Sequence, residues 1–374
     1  MVLKCLLSGL LPVLCSGGFH KNSFFDAIKN PALHCFFEEI FEKLDKRDDY
    51  CVFFELDYTI LRDSFPNTVL AKQIVDGEFY FQAADVPLVF GFYNHMTGNL
   101  NPPFQCIGKD ENFSAIVKKI QDIFAKRDRR LNFRFEEGEK LRLKELIPKW
   151  LKMASHVVQG DKKECAYLSI TVPYRLLYNM NNEERTRLFQ RAFSPSGEGE
   201  EVNDLPNQAV ASPKMLQLIH ALSEGKAKTY IISAMHTAYL ESVTDALRIE
   251  NSITGVFGTT CDNEIAGNAF KGVGNAMVRE NKASKIKEII KGTKCQPLLV
   301  ADDPQYDRHM LVAALENGAH ALAIFSGRGD KEIKKWLKTF GKKYPPHKII
   351  GTSCIESEMI IFFIHYLRSC ILET

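Results

Sequence analysis

Residues 50–60 read YCVFFELDYTI, and the fold turns on how this stretch is read. Tyr50 to Phe54 form a short, unbroken apolar run with charged residues before it and acids directly after it. A strand buried on both faces of a parallel sheet looks like this, because helices cover both sides and no alternate position meets water. Glu55, Asp57 and Thr59 then fall just past its carboxyl end. Ligands of open α/β sheets bind at that edge, so these three residues are the first candidates for chemistry.

Working outward, residues 31–48 place apolar side chains at helical spacing and end in charge, which predicts an amphipathic helix ahead of the strand. From Ser212 onward, a regular alternation begins. Helices are expected over 213–223, 239–247, 283–291 and 308–317, and strands over 229–232, near Val256, over 297–300 and over 321–325. Such alternation predicts an α/β fold with a doubly wound parallel sheet that also takes in residues 50–54. The intervening stretch is different. It has helical patterns at 111–126 and 139–153, an aromatic-rich segment at 79–93 and a polar, Gly/Pro/Ser-rich connection at 194–213. The expected division is an N-terminal segment 1–30, a Rossmann-like core from 31–65 and 213–374, and a mostly helical domain inserted at 66–212.

The 374 residues carry 48 basic and 46 acidic side chains, and 45% are hydrophobic, an ordinary balance for a globular chain. Nothing in it calls for nucleic acid. The basic runs at 126–130 and 331–343 are interleaved with apolar residues at helical spacing and read as solvated helix faces. Ten scattered cysteines form no CxxC pair, which argues against a zinc site and for free buried thiols in a reducing, cytoplasmic setting. Export is the competing reading: residues 1–18 hold Lys4, the apolar stretch CLLSGLLPVLC and then small residues, a signal-like order that Pro12 interrupts. No apolar run approaches the roughly 20 residues of an integral membrane helix, and MIIFFIHYL at 359–367 is too short.

The ends of the other strands add to the first cluster. TYII at 229–232 runs into Ser233, and PLLVA at 297–301 runs into Asp302, Asp303 and, four residues later, Asp307. Convergent carboxylates raise one another's pKa, and a hard cation relieves that. Oxygen ligands that include one or two carboxylates suit Mg²⁺, which also takes a phosphate oxygen. A remaining carboxylate can then attack phosphorus or move a proton while a hydroxyl and a Lys hold the other phosphate oxygens.

With those residues in place, VFFELDYTIL (52–61) resembles the first motif of the haloacid-dehalogenase superfamily, an apolar strand followed by Asp-x-Asp-x-Thr. YIISAMHT (230–237) resembles its second motif, RENKASKIKEII (279–290) its third and PLLVADDPQYD (297–307) its fourth, all in order. Residues 229–326 are particularly similar to the phosphoserine-phosphatase branch, through TTCDNEIAGNAFKG (259–272) and ENGAHALAIFSG (316–327). A helical cap sits between the first two motifs in that branch, which suits the insertion, although this insertion is longer and resembles no cap of known specificity.

The resemblance implies a Mg-dependent phosphatase acting on a small phosphomonoester. Asp57 would be the general acid and base, with its backbone carbonyl on the metal. Ser233 and Lys282 would bind phosphate, and Thr59 would support the phosphate loop by hydrogen bonding. Asp302 and Asp307 would hold Mg²⁺, with Asp303 competing for the place of Asp302. Glu55 departs from the pattern: it stands where the family has its nucleophilic Asp, at the metal as well. One added methylene moves a carboxylate by about an ångström, and misplacement on that scale can cost on the order of a hundredfold in rate. The alternative is therefore a catalytically degenerate module that binds a phosphate ligand or a protein. A protein partner could engage the insertion through the aromatics Phe79, Tyr80, Phe81, Phe92 and Tyr93, whose plainer reading is as core. His236 is placed near the site mouth or in packing, and His309 in the helix after the fourth motif.

Overall fold

A computed structural model describes residues 21–26, 28, 30–90, 111–156, 175–193, 202, 205–206, 208–260, 277–325, 330–340, 342–345 and 348–352. Six parallel strands form one sheet: β1 (Tyr50–Phe54), β2 (Lys228–His236), β3 (Gly255–Thr259), β4 (Gln296–Asp302), β5 (His320–Ile324) and β6 (Ile349–Thr352). Their order is β3-β2-β1-β4-β5-β6. The order reverses between β1 and β4, and a doubly wound sheet opens its ligand crevice at such a switch point.

Burial along β1 explains why its apolar run is continuous. Val52 and Phe54 join one core cluster with Phe37, Ile40, Leu218 and Ile231, whereas Cys51 and Phe53 join another with Ile286, Val300 and Leu311. Helices cover both faces, so neither set of alternate positions is free to be polar. The helix ahead of β1, Pro31–Leu44, is shorter than the charge pattern suggested, and Asn30 caps it by accepting from the amides of Ala32 and Leu33. Later helices fall at Pro213–Glu224, Thr237–Ala246, Glu280–Thr293 and Pro304–Glu316, close to their expected places. Strand β6 and the helix Asp330–Phe340 extend the α/β alternation beyond what the apolar pattern showed.

The chain leaves the sheet layer and returns to it at one point. Leu61 bridges Ala211, Arg62 N–H donates to Val210 O at 2.9 Å, and Ser212 N–H donates to Ile60 O at 2.8 Å. Between these stems lie the helices Phe65–Asp76, Glu111–Asp128, Glu137–His156 and Asn182–Ala192. Most of their buried residues form a third cluster built around Phe81, Phe90, Phe124 and Trp150, while Leu177, Leu188 and Phe189 pack into the sheet-side core. Phe79 and Phe81 are buried here, Phe81 stacked on Phe124 at 4.9 Å, so they are core, and Tyr80 between them is exposed. Phe92 and Tyr93 lie outside the described residues, as do the signal-like stretch, the 359–367 run and nearly all of the turn 259–272.

The expectation of free thiols fails at one pair. Cys51 on β1 and Cys295, just before β4, form a disulfide with Cα atoms 5.6 Å apart. Parallel pairing of β1 with β4 brings the two residues together across 244 positions of sequence, a relationship no spacing rule could show. No helix among the described residues is long and apolar enough to cross a membrane.

Candidate active site

Glu55 is the first residue past β1, and its N–H donates to Ala301 O at 2.9 Å, which extends the ladder with β4 by one residue. Asp302 and Asp303 follow Ala301, so three carboxylates leave neighbouring strands at the switch point, all of them buried. Beyond Glu55, residues Leu56–Ile60 form a single wide turn closed by Leu61 N–H donating to Leu56 O at 2.9 Å. Tyr58 lies in the left-handed region at φ 60°, a strained place for a side chain with a Cβ and one often found at functional turns.

That turn presents Asp57 to the start of the next helix. Phe65 is the first residue of the helix Phe65–Asp76, and its N–H, which has no partner within the helix, donates to Asp57 Oδ1 at 2.9 Å. Burial nevertheless dominates and pushes the Asp57 carboxyl up to about 8; the Phe65 N–H opposes the rise, Glu55 adds to it, and Lys282 and Ser64 oppose it. The rise favours the protonated form of Asp57 at neutral pH.

Two distant residues converge on Glu55. Ser233, within β2, donates from Oγ to Glu55 Oε1 at 2.5 Å and accepts from Met235 N–H at 3.2 Å. Lys282, in the first turn of the helix Glu280–Thr293, forms a buried ion pair with Glu55 Oε2. Each oxygen of the carboxylate is therefore engaged, one by a hydroxyl and one by an ammonium.

The remaining sequence candidates are less tightly drawn in. Thr59 is buried, but its hydroxyl has no hydrogen-bond partner among the described residues; the backbone bond between Leu61 and Leu56 closes the loop instead. Asp307 lies in the helix Pro304–Glu316, and its side chain is outside the described residues. Among the described residues, which do not include the Asp307 side chain, no three His, Cys, Asp or Glu side chains come close enough to share a metal ion. The Glu55 carboxylate is turned to Lys282 and Ser233. His236 is buried where β2 pairs with Thr259 of β3, and His309 faces Glu280 at 3.4 Å.

Three contributors escaped the motif reading. Ser64 and the Phe65 amide hold Asp57, and the Ser-Phe-Pro sequence at 64–66, a helix-start signal, was the clue to them. Gly258 on β3 lets the strand-to-helix turn after Ser233 pass close by: a Cβ there would sit 2.4 Å from Met235 O and 2.8 Å from Thr237 N.

No protein-family model matches the sequence, and no curated protein matches it. Among solved structures, the chain is similar to a conserved protein of unknown function from Anaerococcus prevotii DSM 20548, at 13% identity and a TM-score of 0.56, covering 87% of this chain and 93% of that one. Looser likenesses reach a probable phosphoserine phosphatase from Vibrio cholerae (14% identity, 52% of each chain, TM-score 0.36) and a cytosolic 5'-nucleotidase IIIB bound to cytidine (13% identity, 83% and 85%, TM-score 0.38). These likenesses show the fold alone: the chain has a Rossmann-like, doubly wound α/β fold, with its four sequence motifs at strand ends and a helix start around one switch point.

Proposed function

We propose that the chain is a phosphatase-type hydrolase acting on a small phosphomonoester, with residues 66–212 as the inserted cap over the site. The observation that carries this reading is the buried convergence of Ser233 and Lys282 on Glu55, two residues from a protonated Asp57. Phosphoryl transfer needs little more from a protein than positioning and charge stabilisation. Ser233 and Lys282 would hold the phosphate oxygens, and Asp57, carrying its proton at neutral pH, would give it to the leaving oxygen. Glu55 would act as the nucleophile or orient a water molecule.

The donor types at the strand ends are all oxygen, which suits Mg²⁺; Asp302 or Asp303, with Asp307 and the Asp57 carbonyl, would hold it. When bound, Mg²⁺ would supply positive charge to a phosphate oxygen. Thr59 belongs to the loop by position alone.

A second reading is favoured by the way both Glu55 oxygens are occupied. The longer side chain lets the carboxylate take the two groups that would otherwise bind phosphate, as an internal anion in the ligand's place. Such a site would bind and turn over poorly, and the fold would serve as a binding module.

The test is phosphate release from a generic phosphomonoester with Mg²⁺, comparing wild type, Asp57→Asn and Glu55→Asp. Wild-type activity lost in Asp57→Asn supports the hydrolase. A silent wild type that gains activity in Glu55→Asp supports the degenerate reading, and silence in every variant across a broad substrate panel rejects the phosphatase.

A further inference from the structure

The helices Glu111–Asp128 and Glu137–His156 form a hairpin whose connecting turn carries an unusual group of side chains. Leu131 is 103% exposed, Phe133 57%, and Leu141, one turn into the second helix, 61%. Only one other large hydrophobic among the described residues, Tyr80, is comparably exposed. Singly scattered apolar residues are normal on a surface, but three within eleven positions at one tip are a concentrated patch.

The turn is built to hold them outward. Arg130 makes paired 2.7 Å bonds to Glu139 and donates to Arg134 O at 3.1 Å, Phe133 N–H donates to Arg130 O at 3.2 Å, and Arg134 N–H donates to Asn132 Oδ1 at 3.2 Å. Phe135, two residues on, tucks into the core against Phe124. Phe133 instead takes the left-handed backbone at φ 49° and stays in solvent. A bulky residue in that region is strained, and strain held in place by a hydrogen-bonded turn points to a use for the exposed ring.

The charge on the hairpin has one dominant sign. Lys126, Arg129, Arg134 and Arg142 are exposed; of the exposed acids among the described side chains, Glu136, Glu137 and Asp122 are held by Arg130, Lys140 and Lys118, and Glu145 lies on the second helix. Between the two helices a groove of about 690 Å³ continues this character, lined by five cations (Lys119, Lys126, Arg129, Arg142 and Lys149) against two carboxylates. From Lys119 to Lys126 the cations run along one helix for about 10 Å at roughly 1.5 Å per residue, and Arg129 follows just past its end.

We propose that this hairpin docks the protein on an anionic membrane surface, with Leu131, Phe133 and Leu141 entering the headgroup boundary and Lys126, Arg129, Arg134 and Arg142 meeting the lipid phosphates and carboxylates. Apolar side chains ringed by Lys and Arg combine area burial with attraction to an anionic leaflet. The apolar side chains sit on the turn that joins the two helices and on the helix start after it. A fluid interface adapts to such a tip, whereas a folded protein partner would need a matching pocket. This surface lies outside the candidate active site and does not depend on how that site is read.

The test is co-sedimentation of the full chain with vesicles of phosphatidylcholine alone or with about 30% phosphatidylserine, the anionic lipid of the cytoplasmic leaflet. Wild type is expected to bind the anionic vesicles at least about tenfold more tightly and to release as salt rises. Replacing Leu131→Ser with Phe133→Ser is expected to weaken binding by about tenfold or more through lost apolar insertion. Arg129→Ala with Arg142→Ala is expected to lose roughly fivefold per cation and to flatten the salt dependence. Equal sedimentation with both vesicle types, or no sedimentation at low salt, would overturn the proposal from wild type alone, whatever the variants do. Binding to poly-glutamate but not to anionic vesicles would also overturn it and assign the hairpin to an acidic protein.

Discussion

Lys282 reaches Glu55 across 227 positions of sequence, and the two side chains form an ion pair with almost no exposure to solvent. A buried pair adds little net stability over an apolar one, but removing one partner strands the other charge. Lys282→Met is therefore expected to destabilise the fold by about 3–5 kcal/mol, and the double variant Glu55→Gln/Lys282→Met to recover most of that loss. Urea unfolding of wild type and the variants measures it, and equal midpoints for the single and double variants would show that the pair is not coupled.

Removing only the Glu55 side chain leaves Ser233 and Lys282 facing a buried space without their carboxylate. Glu55→Ala is expected to recruit an external anion, so that orthophosphate raises its melting temperature while leaving wild type nearly unmoved. A charge-assisted contact contributes about 1.5–3 kcal/mol, so binding at least about tenfold tighter than wild type is expected. An orthophosphate response of the same size in both proteins would mean that Glu55 does not occupy the anion position.

Asp57 leaves a signature in the pH dependence of stability. Its carboxyl titrates near 3.8 ordinarily and about 8 in the folded chain, so between those values the folded state holds a proton that the unfolded state has lost. This contribution is complete below about pH 4 and declines as pH rises towards 8. Relative to Asp57→Asn, wild type should lose stability steadily over that window and level off above it. Parallel wild-type and variant profiles from pH 4.5 to 9, about the span that brackets the shift, would show the carboxyl to be unperturbed.

Gly258 has no room for a side chain because Met235 O and Thr237 N lie within 3 Å of where a Cβ would stand. Gly258→Ala is expected to destabilise by about 1–3 kcal/mol through overpacking and to displace the strand end that carries Ser233. Any phosphatase activity should fall with it, and a variant with an unchanged melting temperature would count against this packing.

The Cys51–Cys295 disulfide closes a very long loop, so its loss acts strongly on the unfolded chain. Cys51→Ala is expected to lower stability by about 2–5 kcal/mol. Peptide mass mapping without reductant should recover the two cysteines joined, and recovering both as free thiols would refute the bond.

Local signals made much of this protein legible. The apolar run at 50–54 marked a doubly covered strand, because both faces of β1 are packed under helices and leave no alternate position for a polar residue. The alternation after Ser212 placed all eight of the elements expected there within a few residues, and the acids and hydroxyl after each strand pointed to the sheet edge where Glu55, Ser233 and Asp302 lie. Helix ends were less legible: charge at 45–48 suggested more helix than forms, since solvated charges carry no packing information.

What the sequence by itself determined was the α/β layering and the identity of the candidate residues, both of which follow from local periodicity and from the order of strand ends. Only the tertiary structure decided what those residues face. It turned the Glu55 carboxylate to Lys282 and Ser233, buried Asp57 until its proton stays on at neutral pH, joined Cys51 to Cys295, and left Leu131 and Phe133 in solvent while Phe135 went inside. Contacts across 178 to 244 positions depend on sheet register, and desolvation depends on everything packed around a group; neither quantity is carried by a residue's neighbours along the chain.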